Sequence, residues 1–105
     1  MKFHKHLYIG KTIKNPKTVK MKLRINAGLL GIFIITLADG TDQLEIYHAA
    51  FLKQKLHRKL WPPYVIGIAS SKEEAMEMVT QITGECYNAT GTARLKDYLL
   101  GSDKR

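Results

Sequence analysis

Segment 61–79 most narrowly limits the fold of this chain, because a helix stop, a strand, a turn and a helix start follow one another within it. Pro62-Pro63 cannot continue a helix. The run Tyr64–Ala69 is apolar and contains several β-branched residues, which is typical of a buried strand. Ser71 with Glu74 three residues later forms a capping box. We therefore predict a strand at Tyr64–Ala69 and a helix that begins after Ser71.

The helix after this strand has apolar residues spaced three and four apart, which predicts one buried face. These residues are Ala75, Met78, Val79, Ile82 and Cys86. Gly84 weakens the helix interior by about 1 kcal/mol relative to alanine, and Asn88 or Gly91 can end the helix. Thr92 then caps a short final helix that ends at Gly101. The residues of that helix predicted to face inward are Leu95, Tyr98 and Leu99.

The run Ile32–Ala38 is apolar on both strand faces and is predicted to lie inside the sheet. Asp42 and Glu45 form a second capping box, which favours a helix over Gln43–Leu60. Strand, helix and the strand after the prolines would then form a right-handed β-α-β unit with parallel strands. The rival interpretation is a strand at Leu44–His48 before a shorter helix.

The first 25 residues contain two alternating patterns, and each predicts a strand. In the first strand, Phe3, Leu7 and Ile9 alternate with His4, His6 and Tyr8. In the second, Val19, Met21, Leu23 and Ile25 alternate with Lys20, Lys22, Arg24 and Asn26. If these two strands pair antiparallel, the cationic and aromatic side chains can share one face.

These elements predict an α+β fold, with a mixed four-stranded sheet and helices packed on at least one face. The order of elements is β-β-β-α-β-α-α, in one domain over residues 1–101 with a frayed tail at 102–105. Strands that are apolar on both faces need cover on both sides. The second side is covered either by the final helix or by a second copy of the chain, so we expect a homodimer as one of two solutions.

The charge of the chain is concentrated in its first half. The net charge is +8; residues 1–60 hold twelve basic and three acidic side chains, whereas residues 61–105 hold five and six. Such asymmetry indicates nucleic acid or another polyanion as a partner. The predicted binding residues are Lys20, Lys22, Arg24, His4, His6 and Tyr8. The alternative is a solvated strand face that is charged to prevent edge pairing and binds nothing.

Other candidate sites have simpler explanations. His4 and His6 have a spacing that can bind zinc or copper, but further ligands are missing, and His48 is expected to be partly buried and hydrogen-bonded. Helix capping explains Ser70-Ser71 better than phosphate binding does. Turn and cap roles likewise explain the cluster Asp39, Asp42 and Glu45. Cys86 lies at a core position and is expected to be unreactive. We predict no catalytic residue, no metal and no cofactor.

The longest apolar run, Leu29 to Ala38, has ten residues, too few to cross a membrane, and the N-terminus has no signal-peptide pattern. We therefore expect a small, non-catalytic, cytoplasmic protein that binds a macromolecule through its basic first half. One alternative is a homodimeric adaptor acting through the apolar sheet face. Another is a small enzyme that uses His4 or His6, or the Asp39, Asp42 and Glu45 cluster.

Overall fold

Four strands and two helices make up the structure, a computed structural model that describes residues 2–24, 31–37, 43–50, 64–92, 94–95 and 97–99. The elements in chain order are β1 (Lys2–Ile9), α1 (Pro16–Arg24), β2 (Phe33–Leu37), β3 (Leu44–His48), β4 (Tyr64–Ala69) and α2 (Lys72–Thr90). The strands form one sheet in the spatial order β1-β4-β2-β3. The predicted α+β class with a mixed four-stranded sheet is confirmed.

The unit of β4 and α2 forms as predicted. β4 lies inside the sheet, parallel to β1 and antiparallel to β2, and Val65, Ile66 and Ile68 are fully buried. Ser71 caps α2 by accepting the Glu74 N–H at 3.0 Å. Gly91 ends the helix with a φ of 75°, and its N–H donates to the Tyr87 carbonyl. The left-handed conformation explains why a glycine stands there.

The predicted second strand is wrong, because this segment forms α1. Asn15 and Pro16 begin the helix: the Val19 N–H donates to the Asn15 carbonyl at 3.1 Å, and proline suits the first helical position. Val19 and Leu23, one turn apart, join the core, whereas Met21 is 58% exposed. A strand would have turned all three side chains the same way. β1 therefore pairs with β4 and not with this segment.

The rival interpretation of residues 44–48 is confirmed, and the capping box at Asp42 and Glu45 is wrong. β3 pairs with β2 in an antiparallel ladder from Phe33↔His48 to Leu37↔Leu44. This added strand reverses the chain once more, and β4 runs antiparallel to β2, so the parallel β-α-β unit is also wrong. Asp39, Asp42 and the rest of the predicted helix, from 51 to 60, lie outside the described residues, as do Pro62-Pro63, Gly101 and the tail.

A different helix packs on each face of the sheet. On one face, Ala75, Met78, Ile82 and Cys86 of α2 pack on Ile35 and Ile66. On the other, Leu23 of α1 packs on Ile34, Val65 and Ile68. Residues 95 and 97–99 are helical and place Leu95 and Leu99 in the α2 cluster. Of the two alternatives for the second face, cover by the final helix is therefore wrong for its described residues, which pack on the same face as α2.

α1 packs on the second face through Leu23 and Val19, and the homodimer stays a prediction. Neither helix in the described part of the chain is long and apolar enough to cross a bilayer.

Two glycines are expected to respond oppositely to alanine. A Cβ at Gly84 would meet no atom within 4 Å, so Gly84→Ala should raise the free energy of unfolding by about 0.5–1 kcal/mol. A Cβ at Gly67 would lie 3.2 Å from Ile35 Cδ1, Met78 Cε and the Tyr8 carbonyl oxygen. Gly67→Ala should therefore lower it by about 1–3 kcal/mol. Urea denaturation checks both values, and a loss at Gly84 would contradict the exposed placement of this residue.

Candidate functional site

The loop before α1 and α1 itself carry basic side chains and no acidic ones. Residues 11–24 contain six Lys and Arg and no Asp or Glu. We define the basic surface as Lys11, Lys14, Lys17, Lys20 and Lys22, of which all but Lys20 are exposed. Lys20 is half-buried, with its Nζ 5.3 Å from the centroid of the Phe3 ring, so its stem covers apolar surface while its charge stays near solvent.

Helical spacing explains why so many charges fit on one short element. Only Val19 and Leu23, four residues apart, contact the core cluster from the middle of α1. The remaining positions are free to carry polar or charged side chains without the cost of burying them. Arg24 is the last residue of α1, and its side chain lies outside the described part of the structure.

α2, on the opposite face of the sheet, has the opposite charge. It carries four glutamates and a single basic residue, Lys72. Glu73 and Glu77 are exposed. The structure therefore has a basic helix on one face of the sheet and an acidic helix on the other, and a polyanion would be attracted to the first and repelled by the second.

The sequence predicted that the aromatic residues of β1 and the basic residues 20–24 share one face of the sheet, and this prediction is wrong. His4, His6 and Tyr8 do share one face of β1, as the alternation predicted, because all three line one cleft. That face is the one covered by α2, whereas Lys20 and Lys22 belong to α1 on the other face. The error follows from α1, which was expected to be a strand beside β1. Whether any of these residues bind a polyanion stays a prediction.

A cleft of about 220 Å³ lies where β1 meets the helical residues 97–99. We call it the aromatic cleft, and its lining residues are His4, His6, Tyr8, Tyr98 and Leu99. Tyr98 was predicted to pack inward, but its contribution to a cleft with β1 was missed. Only the three-dimensional structure brings residues 95 positions apart together.

His4 has a structural position in this cleft. It is 5% exposed, its Nε2 lies 2.9 Å from the Leu99 carbonyl oxygen, and its Nδ1 accepts the His6 N–H at 3.1 Å. Both nitrogens are satisfied by the neutral ring with its proton on Nε2. His4 thus ties the end of the described chain to the first strand. Among the described residues, no three His, Cys, Asp or Glu side chains group as metal ligands.

A hydrogen bond connects Tyr8, in the lining of the cleft, with a glutamate of α2. Its hydroxyl donates to Glu85 Oε1 at 2.7 Å, and Gln81 Nε2 donates to the other Glu85 oxygen at 3.0 Å. Burial, followed by the bond to Glu85 and the proximity of Tyr98, holds the pKa of Tyr8 well above its ordinary value near 10. Tyr8 is therefore neutral at physiological pH, and sequence reasoning missed its glutamate partner.

The other candidates are explained by local contacts. Glu45 lies in β3 and accepts the Tyr47 hydroxyl at 2.9 Å. That contact, after burial, raises the pKa of Tyr47. His48 is half-buried as expected, but it lies in β3 and not on the predicted helix. Its ring accepts the Ala50 N–H and lies 4.9 Å from the Phe33 ring. Cys86 is fully buried.

Capping accounts for Ser70-Ser71, as predicted. The Glu74 carboxylate accepts the Ser70 N–H at 2.9 Å and occupies the N-terminus of α2, where an anion would otherwise bind.

The chain matches no protein-family model, no curated protein and no solved structure. A function is therefore inferred from the fold, the basic surface and the aromatic cleft.

Proposed function

We propose that this chain is a non-catalytic, cytoplasmic binding protein that holds nucleic acid or another polyanion against its basic surface. The observation that carries this proposal is that residues 11–24 contain six basic and no acidic side chains and form the helix α1 on one face of the sheet, with the acidic helix α2 on the other. A charge separated in this way orients the molecule toward a polyanion as well as attracting it.

Binding of this kind depends on counterion release from phosphates and reads no sequence. Exposed Lys17 and Lys22 lie on α1 together with Met21, which is 58% exposed and offers apolar contact area. His4, His6 and Tyr8 lie on the other face and do not take part. The lysines of the basic surface therefore supply the binding, and Tyr8 does not stack on a base.

The first test is the dependence of binding on salt. Fluorescence anisotropy with a labelled single-stranded oligonucleotide should show a log affinity that falls linearly with log salt concentration, with a slope that reflects several phosphate contacts. Heparin should compete, because the proposal requires a polyanion and no base. Absence of binding at low salt would exclude the proposal. Binding to anionic vesicles without binding to nucleic acid would exclude nucleic acid as the partner.

The second test compares two charge reversals of equal size. Lys22 on α1 and Lys72 on α2 are both exposed lysines on helices, and they lie on opposite faces of the sheet. Lys22→Glu should weaken binding and lower the magnitude of the salt slope by about one. Lys72→Glu changes the net charge by the same amount and should leave the slope unchanged. Equal effects of the two substitutions would show that net charge, and not this surface, drives binding.

The enzyme alternative finds little support in the aromatic cleft. Proton transfer by His4 would break its contact with the Leu99 carbonyl. In the described part of the chain, no side chain hydrogen-bonds the His6 ring, so no activated nucleophile accompanies it. The raised pKa of Tyr8 also makes this hydroxyl a poor acid at neutral pH.

A further inference from the structure

The aromatic cleft has walls suited to a cation. Four rings, those of His4, His6, Tyr8 and Tyr98, line it together with Leu99. The His4 and His6 rings are 6.2 Å apart and tilted by 58°, so they do not stack on each other. Two of these rings, those of Tyr8 and Tyr98, are phenols, whose faces attract cations through their quadrupoles, and ammonium groups in proteins are held by cages of such rings.

The charge next to the cleft, behind the Tyr8 hydroxyl group, is that of the Glu85 carboxylate. Glu85 receives one neutral donor on each oxygen, Tyr8 at 2.7 Å and Gln81 at 3.0 Å. In the described part of the chain, neither Lys nor Arg lines the cleft or pairs with Glu85. Because the Tyr8 proton points to Glu85, it is not available to an anionic ligand. A cation in the cleft would therefore contact the rings directly and would also be attracted by the Glu85 carboxylate, which lies behind the Tyr8 hydroxyl group.

We propose that the aromatic cleft binds a small organic cation, an alkylated ammonium group. The volume of about 220 Å³ is below that of sites for drug-sized ligands, so the cleft accommodates a head group and leaves any longer chain in solvent. The head group can belong to a free metabolite or to a modified lysine side chain of another protein. This site lies on the α2 side of the sheet, so it can succeed or fail independently of polyanion binding by α1.

The test compares a cation with its uncharged isostere. Choline and 3,3-dimethylbutanol have nearly the same shape and differ in charge, and NMR titration of the wild-type protein measures both affinities. We expect choline to bind about tenfold more tightly, with the largest shifts at His6 and Tyr98. A peptide with a trimethylated lysine forms a second arm: tighter binding of the peptide than of choline identifies a protein side chain as the source, and the reverse identifies a metabolite.

Two substitutions of Tyr98 distinguish the contribution of its aromatic ring to binding from that of its hydroxyl group. Tyr98→Leu should weaken choline binding about tenfold, whereas Tyr98→Phe, which keeps the ring, should leave it within about twofold. Glu85→Gln keeps the shape and an acceptor for Tyr8 but removes the charge, and should weaken binding severalfold. The control is Tyr87→Leu, a 61% exposed tyrosine of α2 outside the cleft, which should have no effect.

Equal affinities of the wild-type protein for choline and 3,3-dimethylbutanol would by themselves overturn the proposal. Shifts confined to residues outside the cleft would overturn it as well. If Tyr98→Leu does not fold, Glu85→Gln and Tyr98→Phe decide the outcome: unchanged binding in the first, or lost binding in the second, contradicts an ammonium held by rings and a carboxylate.

Discussion

Replacing Leu23 with alanine is expected to lower the free energy of unfolding by about 3 kcal/mol, whereas Met21→Ala should change it by less than about 0.5 kcal/mol. Leu23 is fully buried against Ile34, Val65 and Ile68, and Met21 is 58% exposed. Truncating Leu23 removes apolar contact and leaves a cavity beneath α1, while truncating Met21 opens no cavity. Urea denaturation followed by circular dichroism measures both values.

This pair of substitutions distinguishes a helix from a strand at residues 16–24. In a strand, Met21 and Leu23 would lie on the same face and lose comparable stability on truncation. Val19→Ala is the matched control within the helix, because Val19 is half-buried beside Leu23 and should lose an intermediate amount. Equal losses at 21 and 23 would contradict the structure of α1 and the arrangement of the basic surface.

The elements predicted correctly are those in which local and tertiary preferences agree. β4 is apolar throughout and lies between two strands, and α2 has a cap at each end and one buried stripe. Each signal favours the same structure, so the sequence is sufficient to identify it. The only local signal for the bulge at Ile66 and Gly67, where the register of β4 shifts against β2, is the glycine within the strand.

In residues 16–24 the alternation of apolar residues and the composition favour different structures. Four apolar residues in alternation indicate a strand, yet six of the nine residues of Pro16–Arg24 are Lys, Arg, Met or Leu, which favour helices. Asn15 followed by Pro16 was a further helix-start signal. Met21, read as core, is exposed in the structure, so the apparent alternation contained one residue that does not contribute to packing.

β3 could not be decided from local signals, since its residues satisfy two patterns. Asp42 and Glu45 have capping-box spacing, and Leu44, Ile46 and His48 alternate as in a strand. The strand forms because the neighbouring β2 offers a complete antiparallel ladder, which is a tertiary contribution. Because residues 44–48 form a strand and not part of a helix, the chain reverses once more before β4, which therefore runs antiparallel to β2.

In the candidate sites, too, local patterns predict the individual groups, whereas the contacts between the groups depend on the tertiary structure. The shared face of His4, His6 and Tyr8 was predictable from alternation along β1, and the charge of residues 11–24 from composition. The partners of these groups were not, because Glu85 and Tyr98 are far from β1 in sequence. Which face each group occupies depends on α1 crossing to the second side of the sheet.

Replacing Glu74 with alanine is expected to lower the free energy of unfolding at neutral pH by about 2 kcal/mol. The Glu74 carboxylate accepts the Ser70 N–H at 2.9 Å and the Thr12 hydroxyl at 3.0 Å. It thereby joins the loop after β1 to the start of α2, at the edge where two parallel strands end. The control is Glu77→Ala, one turn later on the same helix, where the side chain is exposed and the change should be close to zero.

The pH dependence separates the charge of Glu74 from its size. The Ser70 N–H bond, the largest cause, and the contacts with Thr12 lower the pKa of this carboxyl below its ordinary value near 4.5. A lowered folded pKa means that the stabilisation is complete above the unfolded value and is lost as pH falls through the folded one. Glu74→Gln should therefore be less stable than wild type at pH 7, and the difference should vanish in acid, where both side chains are neutral. Urea denaturation of both proteins across this range measures the difference; a constant gap would mean that the carboxylate charge contributes nothing to this junction.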